Sequence, residues 1–357
     1  MTGGRPHDAD LIVVGGGPVG LAAGIEAAVL GMDVLIVEPR EGPIDKACGE
    51  GLMPGALAAL DRLGAHPAGH EIAGIAYLDG AREARHRFVG ATGRGVRRTV
   101  LHAALAARAA EVGVRVERAR VVDVDVGADS VSAGLAGEAG LSGGRVRARW
   151  MIAADGLHSP VRRMLDLERS PQRDDRRRYG IRRHYAVAPW TDLVEVHWSG
   201  DVEAYVTPVD AETVGVAMLG PRHVDLDAAL AGIPTLAAHL AAAPAVTSAR
   251  GAGPLLQRTS ARTSGRVLLA GDASGYVDAL TGEGLRVGFA QARSAVAAIV
   301  AGDASAYERA WRQETRDFRM LTSALVAAAR SPLRHRIVPA AAAAPRLFGS
   351  VVDRLAR

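Results

Sequence analysis

The sequence predicts an α/β protein: a parallel-sheet dinucleotide-binding domain, an inserted antiparallel sheet and a closing set of C-terminal helices. Three observations predict it. Near the start of the chain an apolar strand runs into a glycine-rich turn and a helix. Two stretches of alternating polar and apolar residues interrupt that domain. Beyond residue 307 the pattern is helical and punctuated by proline.

Asp10-Leu11-Ile12-Val13-Val14 is an apolar, β-branched run of the kind that forms a buried parallel strand. Gly15, Gly17 and Gly20 follow in the GxGxxG spacing, with Pro18 among them. Leu21 to Leu30 is an Ala- and Leu-rich helix that Gly31 ends, and Asp33 to Val37 is the second strand, closed by Glu38. Each part has a physical task. Gly15 permits the tight turn, Gly17 lets a pyrophosphate approach the backbone, and Gly20 lets helix and strand pack closely. The helix N-terminus offers unpaired N–H groups and a positive dipole end to phosphate. Glu38 stands where a carboxylate accepts hydrogen bonds from both ribose hydroxyls, and Pro18 and Arg40 flank the same site. At this point NAD and FAD are both open.

Three later segments narrow the choice. Val96 to Leu105 carries Arg98. Trp150-Met151-Ile152 leads into Ala153-Ala154-Asp155-Gly156. Val267 to Ala270 leads into Gly271-Asp272, then Asp278-Ala279-Leu280-Thr281-Gly282-Glu283-Gly284-Leu285 and an Ala-rich helix through Ile299. In this order the motifs resemble the FAD-dependent group that contains the para-hydroxybenzoate hydroxylase-like monooxygenases (group A flavoprotein monooxygenases) and the geranylgeranyl reductases, over about the whole chain. The resemblance implies a Rossmann-type, glutathione reductase-like FAD-binding domain. It places the ADP half of FAD on the glycine turn and Glu38. Arg98 then lies along the ribityl-phosphate region, Asp155-Gly156 near the pyrophosphate, and Asp272 on the ribityl chain. Gly282, Gly284 and Leu285 open the next helix, whose N-terminal dipole would stabilise the anionic reduced ring while glycine lets the backbone lie against it. The family often has proline where this chain has Ala279.

Lys46 is the only lysine and Cys48 the only cysteine. Lys46-Ala47-Cys48-Gly49-Glu50-Gly51 is similar to the Lys-Pro-Cys-Gly-Gly-Gly segment of geranylgeranyl reductases, departing from it at Ala47 and Glu50. The resemblance places it beside the flavin, with Cys48 and Gly49 as contacts. Lys46 would shift the flavin potential or anchor an acidic substrate group. Cys48 would fill space or touch substrate, and Glu50 would act as a base or sit in solvent.

Two insertions, 72–93 and 179–260, are assigned to a substrate domain roofing the flavin; 1–71, 94–178 and 261–306 are assigned to the FAD-binding domain. His184, Tyr185, His197, Trp198 and Tyr205 gather in the second insertion, whose segments read as antiparallel strands. A pocket for a planar or greasy substrate would draw on them, with His197 and Tyr205 as candidate catalytic groups. The Trp-x-Trp-x-Ile-Pro signature of flavin halogenases is absent, and of the reductases' Tyr-x-Trp-x-Phe-Pro only Tyr205 and Pro208 are matched. The segment 307–357, interrupted by Pro332, Pro339 and Pro345, is expected to close the cavity; a weak membrane contact through these helices is the alternative for a lipid-like substrate.

The chain has 357 residues, 43 basic and 39 acidic, a net charge of +4 too mild and too evenly spread for nucleic acid. One cysteine excludes a disulfide framework, a redox-active Cys pair and a multi-thiolate zinc site. No metal is expected, and no signal-peptide pattern opens the chain, so a cytoplasmic location is expected. Gly137, Gly140, Gly143 and Gly144 do not form a second GxGxxG, so NAD(P)H is expected to dock transiently on the FAD face. The run Arg173 to Arg178 reads as a solvated loop. The resemblance implies a single-component, NAD(P)H-dependent monooxygenase of secondary metabolism. O2 would form a C4a-peroxyflavin that hydroxylates an aromatic or polyketide-type small molecule. The alternatives are reduction of isoprenoid-type double bonds and a non-catalytic flavin-binding or redox-sensing protein. A monomer or homodimer is expected.

Overall fold

The computed structural model describes residues 7–80, 82–137, 144–169 and 177–357. Gly140, Gly143 and residues 173–176 of the charge run lie outside them; the run's last residue, Arg178, is not solvated but buried between Glu203 and Asp278.

Parallel strands in the order Val267–Leu269, Arg145–Ala153, Ala9–Val14, Val34–Val37 and Arg115–Glu117 form the centre of an eight-stranded sheet. Alternation along the first strand serves both faces. Leu11 and Val13 pack under the helices Pro18–Val29, Arg98–Glu111 and Gly284–Ala301. Ile12 and Val14 pack on the other face, where Ala119–Val126 and Val131–Gly137 fold back beside Arg145–Ala153. Parallel strands buried on both sides need this continuous apolar character. The glycine turn, Asp155-Gly156 and Gly271-Asp272 therefore lie at the C-terminal ends of central strands, where open α/β sheets place their ligands, whereas Arg98 opens the helix that follows the short strand Gly93–Gly95 outside that sheet.

The second sheet has seven strands, ordered Arg250–Ala252, Tyr179–Ala186, Thr213–Gly220, Val202–Pro208, Leu193–Ser199, Gly74–Asp79 and Arg82–Arg87. It is antiparallel as expected except at one seam, where Leu193–Ser199 runs parallel to Gly74–Asp79. Those two strands come from different insertions and are joined by a long path through the nucleotide-binding domain, so no hairpin dictates their direction. One face packs on the short helices Leu226–Ala231 and Pro234–Leu240 through Ala204, Val206, Val216 and Met218. The other face looks towards the nucleotide-binding domain. A small three-stranded sheet, Gly51–Leu52, Gly93–Gly95 and His70–Ile72, joins the two. At Gly95 a Cβ would fall 1.6 Å from the Pro208 carbonyl oxygen, so only glycine permits that approach.

The C-terminal segment folds as helices Ala304–Ala329, Ile337–Ala343 and Pro345–Ala356, with a 3-10 turn at Pro332–Arg336. Pro332 and Pro345 start their elements, as expected. Pro339 instead sits inside the first turn of Ile337–Ala343, where its missing N–H costs no hydrogen bond. Among the described residues no helix is long and apolar enough to cross a membrane.

Candidate functional site

The glycine turn is built by close approach. Gly15 has φ +102°, and a Cβ there would lie 2.6 Å from the Ala154 carbonyl oxygen, where the adjacent parallel strands Ala9–Val14 and Arg145–Ala153 deliver their loops side by side. A Cβ on Gly20 would fall 1.9 Å from the Gly15 carbonyl oxygen. A Cβ on Gly17 would meet nothing within 4 Å, which leaves the helix N-terminus open to a phosphate. Glu38 is buried and fixes the turn by accepting the Gly16 N–H at 2.8 Å. Arg40 adds its backbone N–H at 2.9 Å and its guanidinium at 2.7 Å to the same carboxylate. Burial pushes the Glu38 pKa up, but the hydrogen bonds and charge of Arg40, with the Gly16 N–H, hold it below the ordinary value. The carboxylate is therefore charged where a ribose would reach it, and Arg40 would share it. His102, one turn along the helix from Arg98, pins the same loop from behind, with Nε2 3.0 Å from the Gly16 carbonyl oxygen. Burial lowers its pKa and keeps the ring neutral.

A cavity of about 1180 Å³ begins at this turn and passes Arg40, the segment from Lys46 to Gly51, Arg98 and the loop Asp155–His158. It continues along Gly271-Asp272 and the loop from Ala279 to Leu285, reaches Tyr77, Val196 and Tyr205 on the second sheet, and ends among the C-terminal helices. The cofactor candidates Gly17, Pro18, Gly156, Gly282 and Gly284 all line it, whereas Gly15 and Gly20 shape the turn from within.

Lys46 and Asp272, 226 positions apart, form an ion pair of 3.1 Å on the cavity wall. The lysine is thus engaged by the late motif. Arg162, fully buried, ties that motif to the Asp155 loop: its guanidinium donates to the carbonyls of Leu157 at 3.0 Å and Ala273 at 3.1 Å and to Gln257 Oε1 at 2.9 Å. Gln291 holds the Gly271 N–H at 2.7 Å. Asp155 caps the short helix after it through the Val161 N–H at 3.0 Å, and burial raises its pKa. His102, Arg162 and Gln291 were not singled out from the sequence. Nothing in the sequence separates Arg162 from its neighbour Arg163, which is exposed; only packing sends one of them inward.

Glu50 is buried at φ +60°, a backbone region that costs a non-glycine residue energy, so the sheet-to-loop contacts must hold it there. One oxygen accepts the Arg98 N–H at 2.8 Å, and the other lies 2.6 Å from His184 Nε2 on the second sheet. Glu50 is therefore not solvated; it latches the loop Lys46–Gly51 to the second sheet. His184 Nδ1 faces the Arg182 guanidinium at 3.1 Å and so accepts, which leaves the proton on Nε2 for Glu50. Cys48 Sγ accepts the Glu50 N–H at 3.4 Å and Thr207 donates to the Gly49 carbonyl at 2.8 Å, so the turn is tied at each step.

Glu283, at the start of the helix Gly284–Ala301, is 1% exposed. Burial pushes its pKa to about 7 against the opposing pull of Arg286, and its Oε1 has no partner among the described residues. Tyr205 donates to the Leu280 carbonyl at 2.6 Å, joining the roof to the same loop. His197 does not belong to the cavity. Val194 and Val196 line it, so alternation turns His197 to the opposite face, where its Nε2 lies 3.0 Å from Glu195 Oε2.

These residues fit FAD. Gly17 and Gly49, where a Cβ would meet nothing within 4 Å, Arg98, whose buried Nε has no partner among the described residues, and Asp272, held by Lys46, all line this one cavity. Among the described residues no cluster of His, Cys, Asp and Glu could hold a metal ion.

Residues 8–307 match the family described as the FAD binding domain. Over 56 residues the chain is 55% identical to the menaquinone reductase of Mycolicibacterium smegmatis, a stretch that is 16% of this chain and 14% of that protein. Over 167 residues it is 36% identical to digeranylgeranylglycerophospholipid reductase 1 of Methanopyrus kandleri, 44% of this chain and 42% of the other. The chain thus matches less than half the length of these relatives. A flavoprotein/dehydrogenase from Cytophaga hutchinsonii shares the fold with a TM-score of 0.85 and 20% identity, over 96% of this chain and 92% of that one.

Proposed function

The chain belongs to the FAD-binding domain family, and on that premise we propose that it is a monooxygenase: an FAD-dependent oxidoreductase that uses NAD(P)H and O2 to hydroxylate a lipophilic substrate with an aromatic head. The balance is NAD(P)H, a proton, O2 and substrate going to NAD(P)+, water and hydroxylated substrate. Bound FAD would supply the two-electron reduction and the activation of O2.

The lining of the cavity carries the reading. Four of the chain's six tyrosines, Tyr77, Tyr179, Tyr205 and Tyr276, face it, and they offer ring faces with polar tips suited to a phenol. Beyond them Leu325, Ile337, Leu347 and Leu355 of the C-terminal helices continue an apolar wall suited to an aliphatic tail. The protein's own residues then have separate tasks. Lys46 and Asp272 present a neutralised pair to the ribityl chain, and the helix start at Gly284 favours negative charge on the ring. Tyr205 braces the loop that carries the ring edge, and the apolar wall keeps water out.

A second reading, reduction of isoprenoid-type double bonds, is favoured by the Lys46–Gly51 segment and by the reductases among the relatives. The deciding experiment gives the NAD(P)H-supplied holoprotein isotopically heavy O2 and a series of long-chain alkylphenols. One labelled oxygen atom in the product supports the monooxygenase. Oxygen-independent uptake of two hydrogens by a polyprenyl substrate, with no labelled product from any phenol, replaces it with the reductase.

A further inference from the structure

A second cavity, of about 880 Å³, lies on the far side of the late cofactor loop. Its floor is the back of Gly271-Asp272 and Gly275-Tyr276, and the start of the helix Gly284–Ala301; its walls are the segment 256–262 and one face of the helix Ala304–Ala329. Six arginines line it: Arg169, Arg258, Arg262, Arg312, Arg316 and Arg319. Asp272 is the only carboxylate among the described lining residues, and Lys46 engages it from the other cavity.

The arginines are not balanced by one another's partners. Arg262 stacks on the buried Trp311 ring with its guanidinium carbon 3.8 Å from the ring centroid, and Arg319 lies 5.1 Å from the same centroid. The Nε of Arg262 is buried without a partner among the described residues. Burial, followed by the charges of Arg319 and Arg312, lowers the Arg262 pKa despite the pull of Glu308. Glu308 itself is turned to the Arg262 backbone N–H and stands 3.9 Å from Arg312, and Arg316 reaches its neighbour Asp317 only at 3.7 Å, a carboxylate that Arg354 also takes at 2.8 Å. Like charges gathered around a cavity with a flat aromatic ring in its wall are stabilised by a multivalent anion, and arginine forks match phosphate oxygens in pairs.

We propose that this arginine-lined cavity binds the phosphate groups of a phosphorylated ligand, and that the ligand is the nicotinamide dinucleotide that reduces the flavin. The second clause rests on the oxidoreductase reading above. Gly271, Asp272, Tyr276 and Gly284 line both cavities, so the arginine-lined site shares a wall with the cavity assigned to the flavin.

Calorimetric titration of the oxidised holoprotein at low salt tests it, with the non-reducing NADP+ and NAD+, inorganic pyrophosphate and inorganic phosphate as separate probes. Arg312 and Arg316 have side chains 70% and 78% exposed, so Arg312→Gln/Arg316→Gln should fold and keep its FAD. At least a tenfold loss of affinity for pyrophosphate and for both dinucleotides is expected in this variant, with a shallower salt dependence. The flavin reduction rate at subsaturating dinucleotide should fall by the same factor. Phosphate or pyrophosphate binding as tightly as either dinucleotide, and lost in the variant, keeps the anion site but overturns the assignment to the electron donor. Absence of binding by every probe, or equal affinities in parent and variant, overturns the site. Binding does not require turnover, so a protein that binds NADP+ here yet oxygenates nothing refutes only the monooxygenase.

Discussion

Glu283→Gln tests a buried carboxyl whose protonation falls in the working pH range. Its ordinary value is 4.5 and burial raises it to about 7 in the folded chain. At about 1.4 kcal/mol per tenfold change in proton affinity, the difference is about 3 kcal/mol in favour of the protonated form. The folded state binds the proton more tightly than the unfolded state. Its contribution is therefore complete below pH 4.5 and is lost as pH rises through 7. Glutamine keeps the shape and the neutral charge at every pH. The variant should match the parent near pH 4.5 and exceed it by up to about 3 kcal/mol above pH 8. Urea denaturation of the FAD-loaded protein, followed by circular dichroism at several pH values between 4.5 and 8.5, measures this. A parent and variant that differ by the same amount at every pH, or a variant that is weaker at high pH, would refute the argument that burial dominates at this helix start.

Other expectations follow from the site. Gly20→Ala places a Cβ 1.9 Å from the Gly15 carbonyl oxygen, so the helix must shift; a protein purified largely without flavin, and less stable by about 1–3 kcal/mol, is expected from absorbance and thermal melting. Asp272→Asn strips Lys46 of its counter-charge and should weaken FAD binding at least tenfold in a fluorescence titration of the apoprotein; unchanged affinity would remove Asp272 from the cofactor site. Tyr205→Phe removes the bond to the Leu280 carbonyl at a cost of about 1 kcal/mol in unfolding free energy, with FAD retained; loss of flavin instead would show that the hydroxyl positions the cofactor loop.

The nucleotide-binding half was legible because its determinants are local. A Cβ on Gly20 would meet the Gly15 carbonyl oxygen within the same turn, Gly15 takes a positive φ there, and Leu11 to Val14 declare a doubly buried strand by composition. The roof was legible as a set of strands but not in phase. The spacing of His197 and Val196 states that they face opposite ways, and only the pairing with Tyr77 and Ala204 decides which of them meets the cavity. The parallel seam at Leu193–Ser199 had no signal either, since a direction set by a long connection leaves no mark on the strand.

The chain by itself determined the local backbone shapes that a dinucleotide requires, because turn sterics and strand burial are properties of a few neighbouring residues. Tertiary structure alone decided which charges meet. Lys46 finds Asp272 across 226 positions, Glu50 finds His184 across 134, and six arginines from three separate segments line one cavity. Electrostatic partners act through space at a few ångströms, and their sequence separation carries no trace of that distance.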